Sequence, residues 1–439
     1  MIIGIRREDK NPWERRTPLI PEDVANLIQQ RGLQFRVQPS GSAPARIFPD
    51  QAYADAGAEI GEDLTPCDVV VGVKEIPPDS FREGGTYLFF SHTIKCQPYN
   101  MPMLKALLEK RATLLDYELI ADDRGRRLVF FGEYAGLAGM IDSLSALGRR
   151  LDVEGIPNPF APIRMAHEYA DLGAAQEAIT RQGALLNGGG LDERLTPLVV
   201  GFAGYGNVSR GAQSILNLMP TISITPEDLL TLRDRDDLSR HHIYQVVFKE
   251  EHLVKPRAAE DGFELQDYYD HPERYISDFD RFAPHLNVLI NAIYWTEKYP
   301  RLITIDALRR LFEGETPPHL RVVGDISCDI GGSIECTIKA TTSDAPCYVF
   351  DPAKGRAHDG YEGRGPVVMA VDNLPCELPR EASEHFSRSL RDFMGEFAAL
   401  DLTSAGVLKE LSAPLRKSVI AFQGQLLEPY RYIGECLDS

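Results

Sequence analysis

Residues 198–212 run an apolar stretch, Leu-Val-Val-Gly-Phe-Ala, into Gly204-Tyr-Gly206 and on into Asn-Val-Ser-Arg-Gly-Ala. Ala212, Ile215, Leu216 and Met219 then recur at helical spacing. A buried strand must turn sharply here and feed a helix. The first glycine makes that turn, the second lets a ligand approach the backbone, and the helix start at Asn207 and Val208 presents unbonded N–H groups with a positive dipole end. The pattern therefore predicts a dinucleotide pyrophosphate site on an α/β sheet. Ser209 stands where a third glycine is usual, a residue small enough for close packing. An acidic residue about 20 positions on should hold the ribose, and Glu227 in Ile-Ser-Ile-Thr-Pro-Glu is the nearest.

The rest of the chain reads as strands alternating with helices, which implies parallel sheets. Met1–Arg6, Phe35–Val37, Asp68–Val73, Thr86–Ser91 and Ala112–Leu115 read as strands of a first sheet. Pro21 opens a helix that Gly32 closes. Leu137, Ile141, Leu144, Leu147 and Leu151 mark one face of a long helix, a plausible bridge between domains. Val288–Asn291 and Arg321–Asp325 extend the second sheet. Glu384–Phe397 and Leu415–Gln423 read as helices, and Arg233–Pro284 resists assignment. At 439 residues, more than one domain is expected. The organisation expected is α/β with two Rossmann-like domains and a cleft between them. Residues 1–133 completed by 380–439 form a substrate domain, and 134–379 form a dinucleotide domain.

Three polar clusters follow apolar strands in the first half: Lys74-Glu75, His92 with Lys95, and Asp116-Tyr-Glu118. In an open parallel sheet, ligands bind outside the carboxyl ends of the strands, so these clusters should share one edge. Lysine and histidine both serve as acid–base groups near neutral pH when burial and neighbours tune them. Singly, each is more simply a solvated strand end, and the common placement favours function. Arg15 and Arg16 precede a helix, and an arginine fork suits a carboxylate.

A net charge of −18 makes nucleic acid or an anionic membrane surface an unexpected partner. There is no run of ~18 apolar residues to span a bilayer. The start of the chain lacks the basic-then-apolar order of a signal peptide. The seven cysteines are odd in number, scattered and without a Cys-x-x-Cys pair. That argues against a disulfide framework and against a structural metal site, and points to a cytoplasmic setting.

Several runs together narrow the reading. They are Glu14-Arg-Arg-Thr-Pro-Leu-Ile-Pro, Val73-Lys-Glu, Phe90-Ser-His-Thr-Ile-Lys, Asp122-Asp-Arg-Gly-Arg-Arg, Tyr134-Ala-Gly-Leu-Ala-Gly-Met, His271-Pro-Glu-Arg-Tyr-Ile-Ser, Asp325-Ile-Ser-Cys-Asp-Ile-Gly-Gly-Ser-Ile-Glu and Asp372-Asn-Leu-Pro. The first three resemble the N-terminal domain shared by alanine dehydrogenases, transhydrogenases and lysine-forming saccharopine dehydrogenases. The full set resembles the lysine–ketoglutarate reductase half of bifunctional aminoadipic semialdehyde synthases.

That resemblance implies an NAD(P)H-dependent oxidoreductase acting on CH–NH groups, which joins lysine and 2-oxoglutarate to give saccharopine. It implies Lys74 and His92 as the acid–base pair. Arg16, Lys95, Arg126 and Arg127 would hold carboxylates, and Glu75 and Glu118 would set the local charge. On the cofactor side it implies Asp329 and Asn373 in addition to the glycine loop. It leans toward NADPH over NADH, and Arg233, Arg235 and Arg240 would be within reach of a 2′-phosphate. Lys249-Glu-Glu-His-Leu-Val replaces a histidine-rich stretch of the animal and plant enzymes, which puts cofactor preference in question. Without the family's glutamate-forming domain, a monofunctional reductase is expected, with a separate saccharopine dehydrogenase chain as a possible partner. The alternatives are an alanine-dehydrogenase-like or other opine-forming enzyme, and a non-catalytic nucleotide sensor on the same fold.

Overall fold

The computed structural model describes residues 1–41, 44–258, 262–314, 318–404 and 406–437. The chain divides into two compact units, Met1–Phe131 with Pro379–Ser439, and Gly132–Leu378.

The first unit opens with β1 (Ile2–Ile5), β2 (Gln34–Val37), β3 (Glu59–Ile60), β4 (Val69–Val71), β5 (Thr86–Phe89) and β6 (Thr113–Asp116). All six pair in parallel, in the order β6-β5-β4-β1-β2-β3. The order reverses between β1 and β4, which opens a crevice at their carboxyl ends. Helix Pro21–Arg31 has proline in its first turn and ends at Gly32 with φ 65, a conformation that glycine adopts without Cβ strain.

The second unit carries β7 (Val199–Ala203), β8 (Thr221–Ile224), β9 (Ile243–Phe248), the hairpin β10 (Val254–Pro256) and β11 (Tyr275–Ser277), β12 (Val288–Asn291), β13 (Val322–Asp325), β14 (Cys347–Asp351), β15 (Arg356–Asp359) and β16 (Val367–Met369). Its eight-stranded sheet runs β15-β14-β16-β13-β12-β7-β9-β8. Helix Gly132–Val153 lies wholly in this unit and is mostly buried. It meets helix Asn207–Leu216 backbone to backbone: a Cβ on Gly136 would stand 1.9 Å from the Val208 carbonyl oxygen, and one on Gly211 2.4 Å from that of Glu133. The glycines of the Tyr134-Ala-Gly run are thus packing residues. The Arg233–Pro284 stretch, which has no clear periodicity, supplies β9 and the β10–β11 hairpin among its described residues.

The chain then returns to the first unit. Helix Pro379–Phe397 packs on helix Pro21–Arg31 through small hydroxyls: Ser383 Oγ accepts the Thr17 N–H at 3.0 Å, and Ser387 Oγ donates to Asp23 at 2.6 Å. Two expectations are corrected here. Leu415–Gln423 is not a helix throughout. A short helix, Ala413–Ser418, gives way to β17 (Val419–Phe422), which pairs antiparallel with β6 and is followed by β18 (Gln425–Leu426). Val-Ile-Ala-Phe is β-branched and apolar, and the open edge of β6 decides its conformation. Nor are all the cysteines free. Cys96 and Cys436, 340 positions apart, form a disulfide, and five cysteines remain as thiols. The last turns of the chain cross the loop after β5, where the Tyr432 hydroxyl donates to the Ile94 carbonyl. Spacing in sequence carries no signal of that proximity. Among the described residues, no helix is long and apolar enough to cross a membrane.

Candidate active site

In the first unit, four neighbouring strands deliver charged groups to one sheet edge. β1 leads to Lys10, β4 to Lys74 and Glu75, β5 to His92 and Lys95, and β6 to Asp116 and Glu118. The Phe90 N–H donates to the Val73 carbonyl at 3.1 Å, which carries the β4–β5 pairing to the residue before Lys74.

Glu75 is the hub. Its Oε1 accepts from His92 Nδ1 at 2.8 Å and from Lys10 Nζ at 2.7 Å. Burial opposes its ionisation, but the bonds and charges of His92 and Lys10 outweigh that and bring the carboxyl down to about 2. An ionised carboxylate on Nδ1 fixes the imidazole tautomer and leaves Nε2 as the working nitrogen. His92 has φ 49, a left-handed conformation costly for a residue with a side chain. Its neighbours over-determine it: Ser91 donates N–H and Oγ–H to buried Asp116, and Asn100 donates to the His92 carbonyl. Strain held this way recurs at functional positions.

Beneath Lys74 lies Glu8, a carboxyl that the sequence reading passed over. Its two oxygens accept the Val73 N–H at 2.6 Å and the Lys74 N–H at 2.9 Å. Burial, aided by the charge of Glu14, pushes it up to about 7. Glu8 and Lys10 follow β1, whose carboxyl end joins those of β4, β5 and β6 on the same side of the sheet.

The proposed carboxylate-binding residues divide. Arg16 is buried, and its Nε and Nη2 donate to Glu14 at 2.7 and 2.6 Å while its plane lies 4.2 Å from the Phe131 ring centroid. Lys95 is exposed. Arg126 pairs with Asp122 at 2.7 Å, and Arg127 pairs with Glu118; both arginines are exposed.

In the second unit, the carboxyl ends of β7, β9 and β12 enclose a cavity of about 410 Å³ lined by Gly204, Gly206 and an aromatic wall that includes Tyr268, Tyr269 and Trp295. Gly204 has φ 96, and a Cβ there would lie 3.0 Å from the Ala292 carbonyl oxygen, so the turn requires glycine. A Cβ on Gly206 would meet nothing within 4 Å, so backbone lies open to a ligand. Helix Asn207–Leu216 begins at Gly206 without a side-chain cap. Asp329 follows β13 and Asn373 follows β16, on the same edge, and Asn373 adopts φ 67. Neither is among the residues lining this cavity. The glycine turn, open backbone and uncapped helix start fit a dinucleotide pyrophosphate.

The ribose expectation needs correction. β8, the second strand in sequence, lies at the sheet edge, and β9 takes the place beside β7. Glu227 follows β8, in the first turn of helix Pro226–Thr231, and does not line the cavity. Arg233, Arg235 and Arg240 lie before β9 begins, at the amino end of the sheet. Arg233 donates to the carbonyls of Pro197 and His285, which precede β7 and β12, and Arg240 donates to Leu191. They are at the wrong end to meet a 2′-phosphate.

Titratable groups at the switch point of one sheet and a glycine turn on a second fit a nicotinamide-dependent oxidoreductase. The chain matches the Alanine dehydrogenase/PNT N-terminal domain over residues 4–138 and the Alanine dehydrogenase/PNT C-terminal domain over residues 273–429, and it belongs to that family.

Within the family it is similar to the alpha-aminoadipic semialdehyde synthase of Arabidopsis thaliana, 38% identical over 98% of this chain and 41% of that protein. The mitochondrial alpha-aminoadipic semialdehyde synthase of Bos taurus is likewise 38% identical, over 100% of this chain and 48% of that protein. The NAD(+), L-lysine-forming saccharopine dehydrogenase of Neurospora crassa is 28% identical over 89% of each. The chain spans less than half the length of the semialdehyde synthases it matches. The fold is that of an L-alanine dehydrogenase structure, with TM-score 0.63, 19% identity and full coverage of both chains. It is also that of a Sinorhizobium meliloti transhydrogenase, with TM-score 0.52, 16% identity and coverage of 97% of this chain and 100% of the other.

Proposed function

We propose that this chain catalyses the reductive condensation of the ε-amine of lysine with 2-oxoglutarate to give saccharopine. The observation that carries the reading is the Lys10–Glu75–His92 chain of contacts beside Lys74, at the point where the first sheet reverses its strand order. Likeness to the semialdehyde synthases and to the lysine-forming dehydrogenase supports the choice of substrates.

The chemistry divides among residues as follows. His92 Nε2 and the Lys74 amine move protons: one group takes a proton from the attacking ammonium, and one gives a proton to the carbinolamine hydroxyl so that it leaves as water. Glu75 and Lys10 hold the imidazole in register through both steps. Lys95, Arg126 and Arg127 meet the substrate carboxylates. Arg16, engaged with Glu14, acts from beneath as a positioning group. Gly204 and Gly206 hold the pyrophosphate of a reduced nicotinamide dinucleotide, which when bound supplies the hydride that reduces the imine carbon. The activity assigned to these residues is the saccharopine-forming step alone. A cytoplasmic setting remains part of this reading, argued from the five cysteines that stay as thiols beside the one Cys96–Cys436 disulfide.

The test is cofactor oxidation by purified protein with lysine plus 2-oxoglutarate, compared with ammonia plus pyruvate, with products identified by mass spectrometry. Saccharopine from the first pair supports the reading, and alanine from the second moves the chain to the alanine dehydrogenase reaction. Lys74→Met and His92→Gln should each lower kcat by roughly 10²–10⁴ with little change in dinucleotide affinity. Normal turnover in both variants removes the mechanism, and absence of any turnover in the wild-type chain favours a nucleotide-sensing role.

A further inference from the structure

The strand order of the second unit reassigns its ribose contact. The residues that follow the strand lying against the glycine strand are the ones that reach the ribose edge of a dinucleotide. That strand is β9, which ends at Phe248 and is followed by Lys249 and Glu250. The Phe248 carbonyl accepts the Gly204 N–H at 3.0 Å, so the chain just after β9 is pinned to the glycine turn. Glu250 lines the same cavity as Gly204 and Gly206. The Tyr269 hydroxyl donates to Glu250 Oε1 at 2.8 Å and holds the carboxylate on the cavity wall. The charge of Glu250 also raises the Tyr205 phenol, which stands between the two glycines.

We propose that Glu250 is the ribose-binding acid of this chain and that it selects NADH over NADPH. The inference rests on the dinucleotide reading given above. Glu250 accepts from the ribose hydroxyls, and a 2′-phosphate brought to the same place would meet a fixed negative charge. The surroundings reinforce the sign. Glu251 follows Glu250, and His252 Nε2 stands 3.8 Å from Glu251 and 4.0 Å from Glu227, so three carboxylates border this end of the sheet. The cations facing it are Lys249 and Arg301, besides His252 when protonated. Arg301 is engaged by the carbonyls of Gly331 and Gly332. Lys249 is exposed at the cavity rim and adjoins Glu250 in sequence, so a phosphate that reached it would also approach Glu250.

The experiment is isothermal titration of the full chain with NADH and with NADPH at one fixed ionic strength, for wild type, Glu250→Gln, Glu250→Arg and Glu227→Gln. A thermal melt checks the fold of each variant. Wild type should bind NADH at least about tenfold more tightly than NADPH. Glu250→Gln should narrow that ratio, Glu250→Arg should reverse it, and Glu227→Gln should change it less than Glu250→Gln does. If wild type binds NADPH as tightly as NADH or more tightly, the inference is overturned while the dinucleotide reading stands. The same holds if Glu250→Gln weakens both cofactors equally. If neither dinucleotide binds wild type, the dinucleotide reading itself falls and the inference falls with it. Should Glu250→Arg fail to fold, the isosteric Glu250→Gln still reads whether the ratio narrows, and an unchanged ratio in that variant overturns the assignment to Glu250.

Discussion

Glu8→Gln separates the electrostatic role of Glu8 from its hydrogen bonds. Glu8 lies under the Val73–Lys74 backbone, where burial, then the charge of Glu14, raises its carboxyl from 4.5 to about 7 against the lowering effect of Arg6 and two N–H donors. Because the folded value exceeds the unfolded one, the folded state binds more protons between those limits, and stability falls as pH rises. The contribution is complete below 4.5 and is lost by the time pH passes about 7. At about 1.4 kcal/mol per pH unit, that interval is worth roughly 3.5 kcal/mol.

Glutamine does not titrate, and its single acceptor oxygen cannot serve both N–H groups, so the variant carries a constant cost of about 1–2 kcal/mol. That offset cancels in the comparison across pH. The chain has two tryptophans, Trp13 in the first unit and Trp295 in the second. In a Trp295→Phe background, urea unfolding followed by Trp13 fluorescence therefore reports the unit that holds Glu8. Measured at about pH 5, 6, 7 and 8, the stability of wild type minus that of Glu8→Gln should decline by roughly 2.5 kcal/mol across the series, since part of the interval lies below pH 5. A difference that stays level to within about 1 kcal/mol would refute the assignment of a raised carboxyl to Glu8.

Other outcomes follow from the same geometry. Glu75→Gln should lower kcat by roughly 10²-fold, because an amide no longer fixes the imidazole tautomer, with a small change in dinucleotide affinity by titration; unchanged turnover would remove Glu75 from its positioning role. Because the folded Glu75 carboxyl is depressed to about 2, the stability it contributes is complete above 4.5 and lost as pH falls toward 2, so acid unfolding of this variant should lack that component. Burial, then the charge of Glu377, raises the Asp142 carboxyl well above its ordinary range, and it accepts the Ala166 N–H at 2.8 Å. Asp142→Asn should therefore leave stability at neutral pH within about 1 kcal/mol of wild type, and a loss above about 3 kcal/mol in thermal melts would show that the group is ionised. Gly136→Ala places a Cβ 1.9 Å from a carbonyl oxygen and should cost at least about 3 kcal/mol, so a melting temperature close to wild type would contradict the packing described.

Much of this molecule was legible without coordinates. Periodicity of two and of 3.6 marked most strands and the long helices, because burial of one face imposes that spacing locally. The glycine turn was legible for the same kind of reason: the positive φ of Gly204 is a property of a few consecutive residues. So was the gathering of Lys74, His92 and Glu118 at one edge, since in a parallel sheet every strand ends on the same side.

What the tertiary structure alone decided is which segments lie side by side. Val419–Phe422 became a strand because β6 offered an open edge, a partner some 300 residues away in the chain. Cys96 met Cys436 because the last turns of the chain cross the loop after β5. Glu227 lost its expected place because β9, not β8, lies against β7, which also leaves Arg233 and Arg240 at the amino end of the sheet. Strand order in a sheet is set by how helices and edges pack, over distances that residue spacing does not encode. Local pattern therefore set the elements and the edge, and packing chose which carboxylate lies beside the glycine turn.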